Sequence, residues 1–379
     1  MKKTGMNKTN IIASKAFFVI LLAAAILFSQ SCTLQGLLNS KTNIPTGYEF
    51  HTGKSGLKIS FLQNSPPSQV YAPEKFVDED GKTAVSRQGS EFPVSLMLKN
   101  EGAYDIKNGY ISFSLEQDYM ELQSWAFPGK TTEYEQPTDI MINPEGKKIK
   151  FDLEGKSSMN PAGDDKILAA TILAKPLDKQ SVTHTSNIIA TACYEYRAEA
   201  NAAICLDTDV YNLKPGIKSC ALKTITLSGG QGAPVAVAKI EQKMLPQGDR
   251  TVMPYFIISI SNAGNGQIIR YDKASDACSD RPLKREDLSA VHIDEIEFSA
   301  YRYSDGAIRC MPMSKTESGE EYITLKDQKA VIKCTLNLQG ESQGLSVNDE
   351  AYMTNFYIRL KYGYINSIAT QVTSERIII

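Results

Sequence analysis

The stretch that decides the fold is Phe92–Lys99, with the sequence FPVSLMLK. Large apolar side chains stand at every second position, the pattern of a β-strand with one buried face. Asn100-Glu101-Gly102 follows directly and is a turn signal. The stretch therefore predicts a half-buried strand that ends in a tight turn, and it indicates an all-β fold.

The same pattern recurs on both sides of this stretch. Leu57–Phe61 and Tyr110–Leu115 alternate in the same way, and Pro254–Ser261 ends in a second turn signal, Asn262-Ala263-Gly264. Short strands at intervals of roughly 8–15 residues, separated by Gly, Pro and Asn, with no strong helical period, are typical of β-sandwiches.

Three landmarks occur twice in the same order. Asn100 corresponds to Asn262, and Tyr194-Glu195-Tyr196 corresponds to Tyr362-Gly363-Tyr364. Between them, the strand containing ILAKPL from residue 172 is echoed by TLNL from residue 335. Similar spacing between corresponding landmarks predicts an internal duplication.

A Gly-rich segment, Ser228–Pro234 (SGGQGAP), separates the two copies. No Lys-Ser/Thr pair and no helix start follow it, so a domain junction is favoured over a phosphate-binding loop. The predicted organisation is a signal peptide or membrane anchor, a flexible tether, a first β-sandwich domain, the Gly-rich junction and a second β-sandwich domain, at residues 1–31, 32–55, 56–227, 228–234 and 235–379.

The alternating strand that ends in Asn-x-Gly, together with a late strand ending in Tyr-x-Tyr, resembles immunoglobulin-like sandwiches of the CARDB type. The residues that carry the resemblance are Val94–Gly102 and Phe256–Gly264. The resemblance implies two tandem immunoglobulin-like domains of a prokaryotic surface protein, with a role in binding, spacing or adhesion. Each domain would be longer than the roughly 100 residues of such a module, so insertions are expected.

The N-terminus has the pattern of a secretory signal. Lys2, Lys3, Lys8 and Lys15 precede an apolar run, Ala16–Phe28, and no acidic residue occurs before the run. As a helix this run would rise only about 20 Å, less than the roughly 30 Å of a bilayer's hydrocarbon core. A cleaved signal is therefore favoured over a permanent transmembrane helix.

Cys32 stands where a signal peptidase would cut, after the small residues Ser29 and Ser31. Its placement resembles a bacterial lipobox, in which the cysteine is lipidated, although such boxes usually have Leu at the position of Ser29. Cys32 is therefore the predicted lipid attachment site; an uncleaved signal anchor and simple secretion are the alternatives. The tether behind it would span roughly 25 Å, which keeps the first domain near the membrane.

Charge and cysteine content indicate the compartment. The chain is mildly acidic, and more so without the four signal lysines, which argues against nucleic acid as a partner. Six cysteines after Cys32 in an exported chain favour disulfides. The expected pairs are Cys205–Cys220 and Cys310–Cys334, with Cys193 and Cys278 unassigned. A hairpin is predicted from the strands Ile188–Tyr196 and Ala202–Leu206, and pairing of Cys193 with Cys205 across it is an open alternative.

No motif that carries a reaction is present. The three histidines lack metal-ligand spacing, and no nucleophile elbow or acylating Ser-x-x-Lys set can be assembled. Asp78-Glu79-Asp80-Gly81 and Asp207-Thr208-Asp209 resemble fragments of calcium loops, but a solvated turn is favoured at the first, and a calcium ion at the second is a minor alternative. We therefore predict a non-enzyme with no catalytic residues, no metal and no cofactor.

The best binding candidates are Trp125 and Phe127, in the segment 123–147, which is predicted to be a long excursion. Rigid aromatic side chains supply contact area, although capping of the sandwich core is an equally simple role for them. The leading hypothesis is a membrane-anchored extracytoplasmic protein that binds another envelope protein or a surface polymer. An envelope glycan hydrolase and a purely structural spacer are the alternatives.

Overall fold

Extended strands make up most of the chain that the computed structural model describes, namely residues 50–77, 83–85, 89–128, 141–142, 148–279, 281–337 and 344–377. The all-β prediction is confirmed. In the first half of the chain the strands are β1 (Leu57–Phe61), β2 (Gln69–Ala72), β3 (Lys75–Val77), β4 (Thr83–Val85), β5 (Glu91–Asn100), β6 (Ile106–Leu115), β7 (Met120–Ala126), β8 (Met141–Ile142), β9 (Lys148–Leu153), β10 (Asp165–Ala174) and β11 (Thr183–Leu206).

The second half of the chain begins with a short strand near the Gly-rich junction. Its strands are β12 (Ile225–Thr226), β13 (Val235–Gln247), β14 (Thr251–Asn262), β15 (Gln267–Ile269), β16 (Ala290–Phe298), β17 (Tyr301–Arg302), β18 (Ile308–Met311), β19 (Ser314–Lys315), β20 (Glu321–Thr324), β21 (Lys329–Leu336), β22 (Leu345–Ser346) and β23 (Tyr352–Arg376). Helix is confined, in the described residues, to α1 (Ala274–Ala277) and two single 3₁₀ turns (Tyr271–Lys273 and Arg285–Asp287) between β15 and β16.

Each half has its own outer sheet. In the first half the order is β1-β5-β10-β7-β8, and in the second half it is β12-β13-β14-β21-β18, with β22 beside β14. The alternation of β5 that was read from the sequence is observed, because Phe92, Val94, Leu96 and Leu98 are all buried. Pairing within both sheets is antiparallel.

A ten-stranded sheet runs through both halves, in the order β19-β20-β16-β23-β11-β6-β9, with β2, β15 and β17 paired at its sides. It forms the inner layer of both sandwiches. In the first half the ring of Trp125 on β7 contacts that of Phe113 on β6 across the core. In the second half Phe256 on β14 contacts Phe298 on β16 and Phe356 on β23. The two halves therefore share one sheet and one continuous apolar core.

The last strands of the two halves, β11 and β23, pair antiparallel along their whole length, from Thr183 opposite Glu375 to Leu206 opposite Tyr352. The hairpin predicted from Ile188–Tyr196 and Ala202–Leu206 does not form, because residues 183–206 are one continuous strand. Ala198 and Ala200, which were predicted in the loop, alternate inward together with Ala202 and fill the core. Tertiary packing here overrides the low strand preference of alanine.

The N-terminal predictions fall outside the described residues. The signal, Cys32 and the tether up to residue 49 are not described, and neither is Asp78–Gly81. Among the residues that are described, no helix has the length and hydropathy that a membrane span requires.

Candidate functional site

Four tyrosines meet on the core side of the β11–β23 pair. Tyr194 lies opposite Tyr364, and Tyr196 lies opposite Tyr362. The rings of Tyr194 and Tyr196 contact each other, as do those of Tyr362 and Tyr364. Burial raises the pKa of all four hydroxyls. They are therefore neutral at physiological pH and act as hydrogen-bonding groups.

In the first half, Asn100 at the end of β5 binds this cluster to the turn that follows. Its Oδ1 accepts hydrogen bonds from the Gly102 amide and the Tyr196 hydroxyl, each at 3.1 Å. Its Nδ2 donates to the Tyr104 carbonyl at 2.8 Å. A Cβ at Gly102 would overlap with the Tyr196 hydroxyl. The Asn-x-Gly signal therefore encodes a site for a tyrosine hydroxyl as well as a turn.

The second half repeats this arrangement. Asn262 Oδ1 accepts hydrogen bonds from the Gly264 amide at 3.1 Å and from the Tyr364 hydroxyl at 3.2 Å. The other two tyrosines are also equivalent, because Tyr194 accepts from the amide of Leu57 and Tyr362 from the amide of Val235, the first residues of β1 and β13. The repeated landmarks of the sequence thus occupy matching places about a pseudo-two-fold axis between β11 and β23.

On the opposite, outward face of the same strand pair lies a charged groove with a cavity of about 310 Å³. Both halves contribute to it, since β11 supplies one wall and β16 and β23 supply the other. We call this feature the junction groove, and the residues that line it are Asp105, Lys107, Asn108, Glu195, Tyr196, Arg197, Asp294, Arg359 and Lys361.

Ion pairs link the two walls of the junction groove. Lys361 Nζ lies 2.8 Å from Glu195 Oε1. Arg359 bridges two carboxylates, with Nε 3.1 Å from Glu199 Oε1 and Nη1 3.2 Å from Asp294 Oδ2. Burial by itself lowers the pKa of Arg359, but the bond to Asp294 and the neighbouring Tyr357 and Glu199 outweigh it and raise the pKa above its usual range. The guanidinium is therefore a permanent charge.

Each of these cations also rests on a tyrosine ring. Lys361 Nζ lies 4.3 Å from the ring centre of Tyr271, and Arg359 lies 5.4 Å from that of Tyr357. Burial and a hydrogen bond to Glu320 raise the pKa of Tyr271 to about 12, so its ring stays neutral. The carboxylate partners and the tyrosine rings together hold the two cationic side chains in place, and the polar groups of these side chains face the solvent.

Two cations at the rim are less constrained. Arg197 lies 5.2 Å from the ring centre of Tyr104 and contacts Glu199 at 3.6 Å, but about half of its side chain is exposed. Lys107 is exposed on β6. Chemically, the junction groove can offer cationic donors and carboxylate acceptors to a polar or charged ligand.

Comparison with protein-family models and with curated proteins finds no match. Two solved structures are similar over most of the chain at low identity. A chain titled BspA_C_WT is 7% identical and covers 79% of this chain and 97% of its own, with a TM-score of 0.14. The CupB6 tip adhesin of Pseudomonas aeruginosa is 11% identical and covers 86% and 100%, with a TM-score of 0.16. At these TM-scores neither similarity bears on fold or function.

The structure places the predicted binding aromatics in the core. Trp125 lies on β7 and is only 1% exposed, and Phe127 is half-buried against Phe151. Residues 123–126, which were expected in an excursion, belong to β7; residues 124–126 pair with β10, and residue 123 lies at a β-bulge. The burial of Trp125 and the partial burial of Phe127 favour the alternative role of capping the core. Residues 129–140 and 143–147 of the same segment lie outside the described part of the chain.

The six described cysteines form three disulfides. Cys205 joins Cys220, and Cys310 joins Cys334, which are the two pairs expected from the sequence. The unassigned cysteines join each other, Cys193 on β11 to Cys278 after α1. The alternative pairing of Cys193 with Cys205 does not occur, because the two lie twelve residues apart on one strand. Three disulfides indicate an oxidising, extracytoplasmic compartment.

The two carboxylates of the Asp207–Asp209 segment bind a lysine side chain of the same loop. Lys218 Nζ lies 2.6 Å from Asp207 Oδ2 and 3.5 Å from Asp209 Oδ2. Both Asp209 oxygens also accept backbone amides, from Leu213 and Lys214. The ammonium group of Lys218 thus occupies the position at which the sequence suggested a calcium ion as a minor alternative. Within the described residues, no group of His, Cys, Asp and Glu side chains has a metal-binding arrangement.

The sequence analysis missed the junction groove. Glu195 was named only as part of the Tyr-x-Tyr landmark, and Arg359 and Lys361 were not considered. One signal was present: charged residues alternate with apolar ones after the first Tyr-x-Tyr motif, in YEYRAE from residue 194, and before the second, in IRLKYGY from residue 358. Once β11 is known to pair with β23, this alternation places the charges on one face.

Proposed function

We propose that this chain is a non-catalytic, membrane-tethered extracytoplasmic protein that binds another envelope protein or a surface polymer through the junction groove. In this proposal it consists of two tandem immunoglobulin-like domains of the CARDB type, fused through β11 and β23. The observation that carries the proposal is that the groove is built from side chains of both halves and is fixed by the pairing of their two longest strands.

The tethering part of the proposal rests on the N-terminal sequence and the disulfides. A basic segment and the apolar run Ala16–Phe28 precede Cys32, and all six remaining cysteines are disulfide-bonded. The folded part is described from residue 50, so only a short tether would separate it from a lipidated Cys32. We infer that partners are reached at or near the membrane surface.

The binding part of the proposal rests on the state of the groove's charges. Glu195 and Asp294 are each bonded to a cation, and Arg359 is held by two carboxylates. Carboxylates in ion pairs suit the binding of a polar ligand better than general acid–base catalysis. Such catalysis needs a carboxyl group that exchanges its proton near the working pH. This arrangement supports a binding role more than a glycan hydrolase.

Site-specific photo-crosslinking in the native envelope tests the proposal. A benzophenone amino acid replaces Arg197 at the rim of the groove, and in a matched control it replaces Lys333, which is exposed on β21 in the outer sheet. We expect a discrete adduct from the groove position that is absent from the control, and its loss when Arg359→Glu is added. Identical adducts from both positions, or none from the groove, would overturn the assignment of the site.

A further inference from the structure

The loop between β11 and β12 exposes a cluster of large apolar side chains. It comprises residues 207–222, and the Cys205–Cys220 disulfide closes it at its base. Tyr211 is 70% exposed, Leu213 is 81% exposed, and Ile217 is fully exposed. We call these three residues the apolar tip. Single exposed hydrophobes are common on protein surfaces, but several on one short loop mark an interaction site.

The loop is held in this conformation from within. The Asp209 carboxylate accepts hydrogen bonds from the amides of Leu213 at 2.8 Å and Lys214 at 3.2 Å. Asn212 and Gly216 adopt positive φ, of 56° and 116°, which turns the chain sharply on either side of Leu213. The apolar tip is therefore presented by a fixed loop and cannot fold back onto the core without breaking these bonds.

The loop has no net charge, and its charged groups are bonded within the protein. Lys218 binds Asp207 and Asp209, and Lys214 Nζ donates to the carbonyl of Asp349 at 2.6 Å. The loop's two acids are thus matched by two lysines, and these groups depend less on water than isolated charges do. Approach to a medium of low dielectric is less costly for such a loop than for one with unpaired charges.

The loop emerges close to the point where the chain enters the fold. His51 and Thr52 line one cavity, of about 670 Å³, together with Asn201 on β11 and Thr226 on β12. These two strands lead into and out of the loop, and six residues of strand, or about 20 Å, separate Asn201 from its start. The chain between Cys32 and residue 50 spans at most about 60 Å when extended, so a membrane at Cys32 is within reach of the loop.

We propose that the apolar tip inserts into the membrane surface that holds the lipidated Cys32, as a second contact between the protein and the bilayer. This inference rests on the proposed function, since it needs the tether. A projecting tip with two aliphatic side chains and one tyrosine fits the boundary between headgroups and acyl chains, where amphipathic rings also reside. Because the loop is neutral, contact should not require anionic lipid.

Quenching by brominated lipid tests the contact. The full chain is reconstituted into phosphatidylcholine vesicles whose acyl chains carry bromine, as the parent, as Ile217→Trp and as Val182→Trp. The parent has a single tryptophan, Trp125, which is buried. Val182 is 54% exposed and directly precedes β11, so the whole length of that strand, roughly 75 Å, separates it from the loop.

The tryptophan that Ile217→Trp introduces adds fluorescence to that of the parent. We expect brominated lipid to quench roughly half of this added fluorescence, as for a ring at the acyl boundary, and to leave the fluorescence added by Val182→Trp unchanged. Adding Leu213→Ser and Tyr211→Ser to Ile217→Trp should reduce the quenching. Equal quenching at both positions, or none at either, would overturn the inference. Unchanged thermal transitions establish that the variants are folded.

Flotation of the same vesicles separates this inference from the proposed tether. A chain that floats without quenching at Ile217→Trp is tethered but makes no loop contact, which overturns the inference alone. Quenching without flotation contradicts the tether, and with it the inference, because the contact would then not occur at the membrane that holds Cys32. A chain that neither floats nor is quenched contradicts both, and the Cys32→Ala variant shows how much of the flotation depends on that cysteine.

Discussion

Two buried asparagines, one in each half, connect a strand end to a tyrosine of the central strand pair. Each accepts from one amide and one tyrosine hydroxyl. Asn100 donates to two backbone carbonyls, and Asn262 donates to one backbone carbonyl and to the side-chain oxygen of Gln328. A side-chain amide can serve all these partners at once, whereas the aspartate that resembles it in shape cannot donate. The identity of Asn100 and Asn262 therefore matters more than that of the apolar residues around them, which tolerate replacement by side chains of similar volume.

Replacing Asn100 with Ala should destabilise the protein strongly. The change leaves the Gly102 amide, the Tyr196 hydroxyl and the Tyr104 carbonyl without this partner in the core, and each such group costs about 1–3 kcal/mol. We expect the free energy of unfolding to fall by about 3–5 kcal/mol, measured by denaturant titration.

Asn201→Ala is the matched control, because that side chain is exposed on β11 and, among the described residues, hydrogen-bonds to the exposed side chain of Asn355. Its effect should stay within about 0.5 kcal/mol. An Asn100→Ala variant no less stable than this control would show that the asparagine is not a structural link.

At the scale of elements, the pairing of β11 with β23 determines the architecture. Their central tyrosines are buried on one face and their charged residues are exposed on the other. The same two strands therefore carry the core of the junction and the walls of the junction groove, so a change in register would displace both at once.

Alkali should unfold the protein through these strands. Burial raises the pKa of Tyr194, Tyr196, Tyr362 and Tyr364 above the unfolded value of about 10. Because the folded pKa is raised, this contribution to stability is complete below pH 10 and is lost as the pH rises toward the folded pKa. The loss is about 1.4 kcal/mol per tyrosine for each pH unit, or about 5–6 kcal/mol for four.

The measurement follows tyrosinate absorbance and circular dichroism together between about pH 9 and 12. We expect the part of the tyrosinate absorbance change that occurs at the highest pH to coincide with a cooperative loss of the circular dichroism signal of the strands. Full ionisation of all tyrosines while the strand signal persists would contradict this expectation.

The sequence was sufficient for the local elements and insufficient for their assembly. The alternation of β5 and β14 depends only on neighbours along the chain, and it was read correctly. The loop predicted around Ala198 and Ala200 was wrong, because small residues form strand only when another strand covers them. The groove was missed because its pairs are distant in sequence: Glu199 and Arg359 are 160 residues apart.

At the scale of the whole molecule, the two halves depend on each other. The ten-stranded sheet takes strands from both, and one apolar core passes through both. The first-half strand β2 also pairs in parallel with the second-half strand β23. The domain boundaries predicted at the Gly-rich junction therefore fall at a turn of the chain, but the shared sheet and the apolar core continue from one half into the other.

Fragments 50–227 and 235–379 should accordingly not fold alone. Separation would leave β11 and β23 as long, unpaired and partly apolar edges, which favour aggregation. We expect neither fragment to show a cooperative denaturant transition at the stability of the whole chain, and we expect co-expression to restore a stable complex. A cooperative transition in either isolated fragment would instead indicate independently folding modules.

The pseudo-two-fold relation between the halves has an implication for ancestry. Tyr194 faces Tyr364 while Tyr196 faces Tyr362, so each half offers the same patch to the other. This is the isologous geometry of a homodimer, realised within one polypeptide. A single-copy ancestor would have paired with itself through this strand, and gene fusion would have made the partner permanent. Fusion would also free the copies to diverge, which would account for the Cys193–Cys278 bond, since it has no counterpart across the axis among the described residues.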